Sequence, residues 1–484
     1  MDEHSTAQTA IPSPDTMNPS TAPPVPGHAS QELYARHEKV YPRQVHGVFA
    51  TSRFITAIAL LGVFYGLPWL SWGDRQAVLL DLPARKFYVF GLTFWPQDFL
   101  FLTFLLMIAA FSLFFFTALA GRLWCGYACP QTVWTESFLW IERFFEGDRA
   151  KQIKRDQEPW NLSKLRIKTL KHLSWLSLST ATGFSFVAYF TPAHALWEKL
   201  HTGSLGGWET FWIGFYGLAT YGNAGWLREQ VCKYMCPYAR FQSAMFDSDT
   251  LVISYDEARG EPRGARSSRV DHAALNLGHC VNCTLCVQVC PTGIDIRAGL
   301  QYECIGCAAC IDVCDQVMAR MKYPKGLIRY TTAHALEGGA SRIFRPRIIV
   351  YAGILICLCG IFAWQLAERP LSALEVLHDR NSLYREIRGN IENVYTLKIA
   401  NKRDVPMDYT LTVSGAEALQ LRMDNPSISL PAGGVLSLPV RVIAPESILT
   451  ARSMPIRFTL TDDAPLPGQI SALAAFIGPS LRSP

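Results

Sequence analysis

Eight cysteines in one segment of the sequence have the spacing of iron-sulfur ligands. The first run reads C-x2-C-x2-C-x3-C-P and consists of Cys280, Cys283, Cys286, Cys290 and Pro291. The second run repeats this spacing with an aspartate in place of the proline, and it consists of Cys304, Cys307, Cys310, Cys314 and Asp315. Three closely spaced thiolates can bind three irons of one cubane cluster, and in two-cluster ferredoxins the fourth ligand comes from the other run. The spacing therefore predicts two 4Fe-4S clusters and one-electron transfer.

Crossed ligation assigns the last cysteine of each run to the other cluster. The first cluster would be held by Cys280, Cys283, Cys286 and Cys314. The second cluster would be held by Cys304, Cys307, Cys310 and Cys290. Paired zinc sites are the alternative, but zinc would leave the third cysteine of each compact run poorly placed for tetrahedral C-x2-C geometry.

A second cysteine motif, C-x-Y-x-C-P, occurs twice. Its cysteines are Cys125 and Cys129 in the first copy and Cys232 and Cys236 in the second. Residues four apart on a helix lie about 5 to 6 Å from each other, so each copy can present two sulfurs to one metal. Soft thiolates select Cu(I), zinc or iron-sulfur centres. These cysteines could instead be buried small apolar residues, but the repeat at equivalent positions favours a thiol metal site.

Two further patterns predict packing and no chemistry. Cys357 and Cys359 are two residues apart on an apolar helix and do not face each other. Four apolar residues follow the first C-x-Y-x-C-P motif at helical spacing, opposite Glu136, Glu142 and Arg143, and they are Phe138, Ile141, Phe144 and Phe145. This arrangement indicates an interfacial helix.

The elements that position these cysteines include membrane helices. The chain has 484 residues, of which 49% are hydrophobic and only 18% are charged. Soluble domains average about 25% charged residues, so part of this chain is expected in lipid. The composition excludes a wholly disordered chain and a small disulfide scaffold. The net charge of +5 is modest, and no pattern indicates nucleic-acid binding.

Five uncharged apolar runs are long enough to cross a bilayer of about 30 Å as helices. They are Phe54 to Gly73, Phe99 to Ala120, Leu173 to Trp197, Thr210 to Trp226 and Ile348 to Ala367. The fourth run is the shortest and could be a re-entrant or buried helix. The two C-x-Y-x-C-P motifs each follow a pair of these runs, so the membrane region resembles an internal duplication.

Lys and Arg residues in short loops predict the orientation, because they are retained on the cytoplasmic side. The loop between the second and third runs carries ten: Arg122, Arg143, Arg149, Lys151, Lys154, Arg155, Lys164, Arg166, Lys168 and Lys171. The loops after the first and third runs carry few. This places the N-terminus, residues 121–171 and residues 227–347 in the cytoplasm, and residues 370–484 across the membrane. The exported domain has no cysteine, and thiols are kept where the cell is reducing.

The C-terminal region changes from helical to two-residue periodicity. Apolar and polar residues alternate in Val394 to Ala400, Tyr409 to Val413, Val435 to Val442 and Ile456 to Leu460. Alternation in several short segments predicts an antiparallel β-sandwich. The predicted organisation is a disordered tail (1–33), a membrane domain with two helical hairpins (34–250), a cytoplasmic two-cluster ferredoxin domain (251–335), a last transmembrane helix (346–368) and the sandwich (370–484).

These motifs, together with the phrase from Ile294 to Cys310, resemble the CcoG/FixG/RdxA family from about Tyr34 onward. The resemblance implies an immunoglobulin-like sandwich and an accessory role in assembling cbb-type cytochrome c oxidase in the bacterial inner membrane. It further implies reduction of Cu(II) to Cu(I) for a copper-exporting P-type ATPase, with oxidase assembly factors as further partners. Asp315 agrees with the family, and the cluster cysteines carry over.

The residues and the resemblance together predict a multi-domain membrane protein that binds two 4Fe-4S clusters and reduces copper. The catalytic candidates and possible copper ligands are Cys125, Cys129, Cys232 and Cys236. The electron donor is not identified. Two alternatives remain open: an electron-transfer subunit of a respiratory complex without copper chemistry, and a non-catalytic assembly scaffold. A third cluster between the two C-x-Y-x-C-P motifs is also open.

Overall fold

A computed structural model describes residues 39–270, 275–379, 382–403, 405–415, 418–423, 427–449, 451–463 and 468–479. The predicted tail, 1–33, lies outside these residues. The chain divides into two units, residues 1–40 and 41–484, and the elements described here belong to the second unit.

Fourteen α-helices occur in the described residues. They are α1 (Val48–Gly66), α2 (Phe99–Ala120), α3 (Leu123–Tyr127), α4 (Pro130–Glu146), α5 (Arg149–Gln157), α6 (Leu162–Val187), α7 (Ala193–Thr202), α8 (Gly207–Thr220), α9 (Pro237–Ala244), α10 (Glu257–Gly260), α11 (Leu285–Gln288), α12 (Ala309–Met321), α13 (Ala333–Leu336) and α14 (Pro346–Ala367). Two π-helical segments, Tyr221–Leu227 and Val231–Met235, separate α8 from α9.

The described strands fall into two groups and one isolated pair. Five short strands lie between α1 and α2: β1 (Ser71–Trp72), β2 (Arg75–Gln76), β3 (Val78–Asp81), β4 (Lys86–Val89) and β5 (Leu92–Phe94). The pair is β6 (Val252–Tyr255) and β7 (Ile328–Thr331). The last group is β8 (Ser372–His378), β9 (Arg385–Ile387), β10 (Asn390–Asn401), β11 (Met407–Ser414), β12 (Gln420–Arg422), β13 (Ile428–Leu430), β14 (Val435–Pro445), β15 (Ser453–Asp462) and β16 (Gln469–Ile477).

Three helical segments are long and apolar enough to cross a membrane: Val48–Trp69, Pro96–Ala120 and Pro346–Ala367. Their apolar side chains are largely exposed; Leu106 on α2, for example, is 62% exposed. Such a surface is unfavourable in water and suits lipid. Three of the five predicted spans therefore have a counterpart among these helices.

The first predicted span is shifted in the structure. α1 covers Val48–Gly66 and continues as a 3-10 turn through Trp69, so the predicted start at Phe54 and end at Gly73 are both too late. Pro68 lacks the N–H that a longer helix needs. The chain then turns at Gly73, which has a φ of +65° and joins β1 to β2.

The third predicted span is wrong in its bounds. α6 begins at Leu162, capped by the Asn161 side chain, which accepts a hydrogen bond from the Lys164 amide at 2.7 Å, and it ends at Val187. The helical run does not continue through Pro192, because proline disfavours helical conformation in the residue before it. A separate helix, α7, begins after Pro192. The fourth predicted span is helical from α8 into the first π segment, and neither run is among the three long apolar helices.

The cysteine-rich domain and the C-terminal domain lie at opposite ends of α1, α2 and α14. The start of α1 contacts the cysteine-rich domain, where the Ala50 amide donates to Asp312 at 2.7 Å. At the other end, Asp98 just before α2 binds Arg369, which follows α14, at 2.6 Å and Lys402 of the C-terminal domain at 2.9 Å. One carboxylate therefore fixes the helix ends to the C-terminal domain.

The C-terminal domain is the expected antiparallel sandwich. One sheet has the order β12-β14-β10-β8, with β9 also paired to β10, and the other has the order β13-β11-β15-β16. Alternate residues of β10 and β15 point inward, and Tyr395, Phe458 and Phe476 are fully buried between the sheets. Burying a large apolar side chain contributes about 1.5 to 3 kcal/mol, so this core stabilises the domain.

Candidate iron-sulfur and thiol sites

The first three cysteines of the first run and the last cysteine of the second run line one small cavity. α11 carries Cys286, α12 carries Cys314, and the loop before α11 carries Cys280 and Cys283. The rest of the lining is mostly apolar and includes Met318. Four sulfurs around an apolar cavity match the ligand set of a 4Fe-4S cluster.

The first three cysteines of the second run and the last cysteine of the first run line a neighbouring cavity. Its cysteines are Cys290, Cys304, Cys307 and Cys310, with Cys286 at the side shared with the first cavity. A negative charge on Cys290 raises the pKa values of three thiols, those of Cys304, Cys307 and Cys310. The structure thus brings each fourth cysteine to the opposite run, which is the placement that crossed ligation requires.

Burial keeps the cavity thiols protonated when no metal binds them. It raises the pKa of Cys304 to about 12 and that of Cys314 to about 12. Burial likewise raises the pKa of Cys286 to about 11. Cluster ligands are thiolates, so assembly of a cluster here must release protons, and the cluster's positive irons must offset the cost of buried negative sulfur.

The two C-x-Y-x-C-P motifs, one after α2 and the other after α8, come together in the structure. A negative charge on Cys129 raises the pKa values of Cys125 and Cys232. A negative charge on Cys236 raises the pKa values of Cys129 and Cys232. We call Cys125, Cys129, Cys232 and Cys236 the thiol quartet. Two motifs more than 100 residues apart in sequence therefore form one group of sulfurs.

The prediction that the two cysteines of each motif lie four residues apart on one helix was wrong. Cys129 and Cys236 do not lie inside a helix with their partners but have extended backbones and precede α4 and α9. Pro130 and Pro237 begin those helices, because proline fits the first helical position and pushes the preceding residue toward extended conformation. The second cysteine of each motif is thus placed by the proline after it.

The thiols of the quartet are partly buried. Burial raises the pKa of Cys125 to about 12 and that of Cys232 to about 11. Cys125 donates a hydrogen bond to Gln242 Oε1 at 3.3 Å. Within the part of the chain that the structure describes, no three His, Cys, Asp or Glu side chains are grouped closely enough to hold a single metal ion, and this applies to the cluster cavities as well as to the quartet.

Arg122 links the thiol quartet to the second cavity. Its side chain is 5% exposed and donates to the carbonyl oxygens of Cys304, at 3.3 Å, and Ala239. Its positive charge opposes the effect of burial by lowering the pKa values of Cys304 and of the quartet members Cys125 and Cys232. From the sequence, Arg122 was counted only among the basic residues that predict orientation; its place three residues before Cys125 was the available signal for a role at the site.

Backbone contact holds the first motif against the loop of the second cavity. A Cβ atom on Gly126 would lie 2.7 Å from the carbonyl oxygen of Gly306, which is too close for any side chain. Gly306 itself has a φ of +69°, and the Tyr330 hydroxyl donates to its carbonyl at 2.6 Å. The backbone of the first motif is therefore in direct contact with the loop of the second cavity.

A buried ionic network supports the second motif, and here the expectation for α4 was wrong. Glu142, predicted on a polar face, is fully buried and binds Arg228 at 2.8 Å. Glu146, one turn later, binds Lys171 at 3.0 Å and Lys168 at 2.9 Å. Burial alone would raise the pKa of Glu146, but the two lysines hold it below its usual value. The basic first half of α6 therefore packs onto α4.

Comparisons with known proteins agree with this arrangement. A model for a 4Fe-4S dicluster domain matches residues 227–333, a model for a 4Fe-4S binding domain matches residues 101–147, and a model for the IG-like fold at the C-terminus of FixG matches residues 362–479. Nitrogen fixation protein FixG of Rhizobium meliloti is 39% identical over 430 residues, which cover 81% of this chain and 82% of FixG. Protein RdxA of Cereibacter sphaeroides is 39% identical over 429 residues, covering 85% of this chain and 88% of RdxA. A crystal structure of a FixG-related protein from Vibrio parahaemolyticus is 32% identical with a TM-score of 0.21, and the match covers 22% of this chain and 96% of that one.

Proposed function

The chain belongs to the FixG/RdxA family, and on this premise we propose that it transfers electrons to copper, reducing Cu(II) to Cu(I) at the thiol quartet. An iron-sulfur electron-transfer protein of the FixG/RdxA type is the function that the family and the two 4Fe-4S domains share. The copper step is the part that this proposal adds.

The proposal is supported by the contact between the segment of the first C-x-Y-x-C-P motif and the loop of the second cavity. Arg122 touches the loop of Cys304 and acts on Cys125 and Cys232 at the same time. Bound at Cys290, Cys304, Cys307 and Cys310, a 4Fe-4S cluster supplies one-electron transfer. The chain's part is to hold the acceptor ion next to that cavity.

Reduction changes the fit between copper and the quartet. Cu(II) takes one electron and becomes Cu(I), and no proton or leaving group is needed for the change. Thiolates are soft ligands and prefer Cu(I). Since the thiols of the quartet are protonated, Cu(I) can bind by displacing protons and can leave again when a partner offers better ligands.

The proposal includes a location and partners. We place the protein in the bacterial inner membrane with five spans, the cysteine-rich domain in the cytoplasm and the sandwich in the periplasm. The ten Lys and Arg residues between the second and third predicted runs support this orientation. A copper-exporting P-type ATPase would receive the Cu(I), and oxidase assembly factors would be further partners.

An anaerobic optical experiment tests the copper step. The full-length protein is purified in detergent, reduced with dithionite, freed of excess reductant and mixed with Cu(II). Cluster absorbance is followed beside a chelator specific for Cu(I). The proposal predicts one Cu(I) formed per electron lost from the clusters.

Two variants make the test specific. Replacing all four quartet cysteines by alanine should slow Cu(I) formation sharply. Replacing Cys357 and Cys359, which are exposed on α14, should leave the rate unchanged. If the clusters stay reduced in the presence of Cu(II), copper is not the substrate and the electron acceptor is a protein or quinone. If both variants form Cu(I) at the same rate, the thiol quartet is not the site of copper reduction.

A further inference from the structure

A cavity of about 590 Å³ lies where α1 and α4 meet the cysteine-rich domain. One wall is formed by Cys307 of the second run and another by Cys232 of the thiol quartet. Cavities of this size at domain boundaries are typical of sites for small molecules. Neither the cluster ligands nor the quartet accounts for the space.

The side of the cavity formed by α1 and α4 is apolar and aromatic. Phe54 and Trp140 pack against each other with ring centroids 5.0 Å apart. Phe54 is 51% exposed and Phe144, also in the lining, is 81% exposed. Because α1 is one of the three helices suited to a membrane, these exposed rings open the cavity toward lipid and not toward bulk water.

Two of the four arginines that line the cavity are paired with carboxylates. Glu136 accepts from Trp140 Nε1 at 3.2 Å and binds Arg143 at 3.3 Å. Arg228 is matched by Glu142 behind it at 2.8 Å, and Glu229 adds a second carboxylate to the lining. The lining therefore has two carboxylates and four arginines; Arg53 donates to the Cys307 carbonyl, and Arg43 lies at the exposed rim.

This combination fits an uncharged amphipathic ligand. A phosphate head group needs cations that are available to bind it. Arg143 and Arg228 are already paired with carboxylates, and Arg53 donates to a backbone carbonyl. A lipid-soluble molecule with a planar ring and two oxygens can instead place its ring against the Phe54–Trp140 pair and its oxygens on the carboxylates and arginines. Only a ligand that enters from the membrane makes use of the aromatic opening.

We propose that this cavity binds the head group of a membrane quinol, which is the electron donor for the proposed clusters. The inference rests on the proposed electron-transfer function and names its donor. Oxidation of the quinol to the quinone breaks two O–H bonds and releases two electrons and two protons. One electron goes to each of the two clusters, and Glu136 and Glu229 take the protons. Arg53 holds the Cys307 loop against the cavity and is a positioning residue.

Photolabelling with a quinone tests binding without relying on activity. The full-length protein is placed in phosphatidylcholine nanodiscs and labelled with an azido-quinone, and the labelled peptides are identified by mass spectrometry. The label is expected in residues 42–57 and 126–144, and excess decylubiquinone should abolish it. A phosphatidic acid analogue in equal excess should leave it in place.

Two alanines of α1 give a matched pair of variants. Ala57 is 3% exposed and lines the cavity, whereas Ala59 is exposed on the same helix. Ala57→Phe should weaken quinone binding by about tenfold or more, since an added ring fills the space, and Ala59→Phe should not change it. Glu136→Gln keeps the volume and is used if Ala57→Phe lacks its iron; it should retain the label but slow reduction of the clusters by decylubiquinol.

The outcomes separate this inference from the proposed function. Labelling outside the two segments, displacement by phosphatidic acid, or equal loss in both alanine variants overturns the quinol site. In that case the dithionite-reduced protein can still form Cu(I), and the proposed function stands. If decylubiquinol reduces the clusters but no Cu(I) forms, the quinol site stands and the copper proposal fails.

Discussion

The cluster cavities and the thiol quartet each gather four sulfurs, but they do so by different means. Both cluster cavities are built from one segment, 280–314, in which close sequence spacing fixes three of the four cysteines. The quartet is assembled from two segments more than 100 residues apart, and contacts of Gly126, Arg122 and the Glu142 network position them. A group fixed by local spacing suits a permanent cluster, whereas a group fixed by packing suits an ion that comes and goes.

The largest effect is expected where local spacing is broken. Cys314→Ser removes a ligand of the first cavity, so about four of eight iron atoms should be lost together with half of the cluster absorbance. Cys236→Ser removes a quartet member and should leave the iron content unchanged. Iron analysis and visible spectra of the two variants measure the difference. A loss of iron in Cys236→Ser would mean that the quartet holds a further cluster, and the contrast would fail.

The buried network should matter to the quartet more than to the cavities. Glu142→Gln leaves Arg228 and Lys171 with less counter-charge, and breaking a buried pair costs about 3 to 5 kcal/mol. We expect a lower unfolding temperature and slower copper reduction with normal iron content. Glu158→Gln, at an exposed position, is the control and should change neither quantity. Loss of iron in Glu142→Gln would show that the cavities also depend on this packing.

A smaller effect is expected from Gly126→Ala. Its methyl group would press on the Gly306 carbonyl and push the first motif away from the second cavity, at a cost of about 1 to 3 kcal/mol. Electron transfer from the clusters to Cu(II) should slow, as seen by stopped-flow absorbance. Gly214→Ala on α8, where a Cβ meets nothing within 4 Å, should match the wild type. Equal rates in both variants would show that close contact at Gly126 is unimportant for the transfer.

The smallest effect concerns Arg122, whose charge acts on the second cavity and on the quartet. Arg122→Gln should lower the potential of the second cluster by on the order of 50 mV, or about 1.2 kcal/mol for one electron, because a nearby positive charge favours the reduced state. The first cluster, farther from Arg122, is the internal control. A redox titration followed by electron paramagnetic resonance measures both. Equal shifts in the two clusters would contradict the placement of Arg122 beside only one of them.

The features that follow from short sequence spacing were predictable. The cysteine runs, the apolar runs of α2 and α14 and the alternating strands of the sandwich all depend on neighbours along the chain, and the structure has each of these segments. Even the error at α1 was a shift of a few residues caused by Pro68 and the hairpin behind it.

The features that depend on tertiary packing could not be predicted. Glu142 looks like a surface carboxylate in its own helix, and only the arrival of Arg228 and Lys171 from other segments makes its burial favourable. The large cavity has lining residues from segments more than 200 positions apart, so no local pattern marks it. The small sheet of β3 to β5 pairs short strands whose sequence shows no sustained alternation.

Copper X-ray absorption on the full-length protein tests the central contrast most directly. The dithionite-reduced protein is given one equivalent of Cu(II) without oxygen, and the edge and the nearest ligands of copper are measured beside the iron content. We expect Cu(I) with sulfur ligands and about eight iron atoms per chain. The copper signal should be lost when the quartet cysteines are replaced by alanine and kept when Cys357 and Cys359 are replaced. Copper that remains Cu(II), or binds equally well without the quartet, would contradict this expectation.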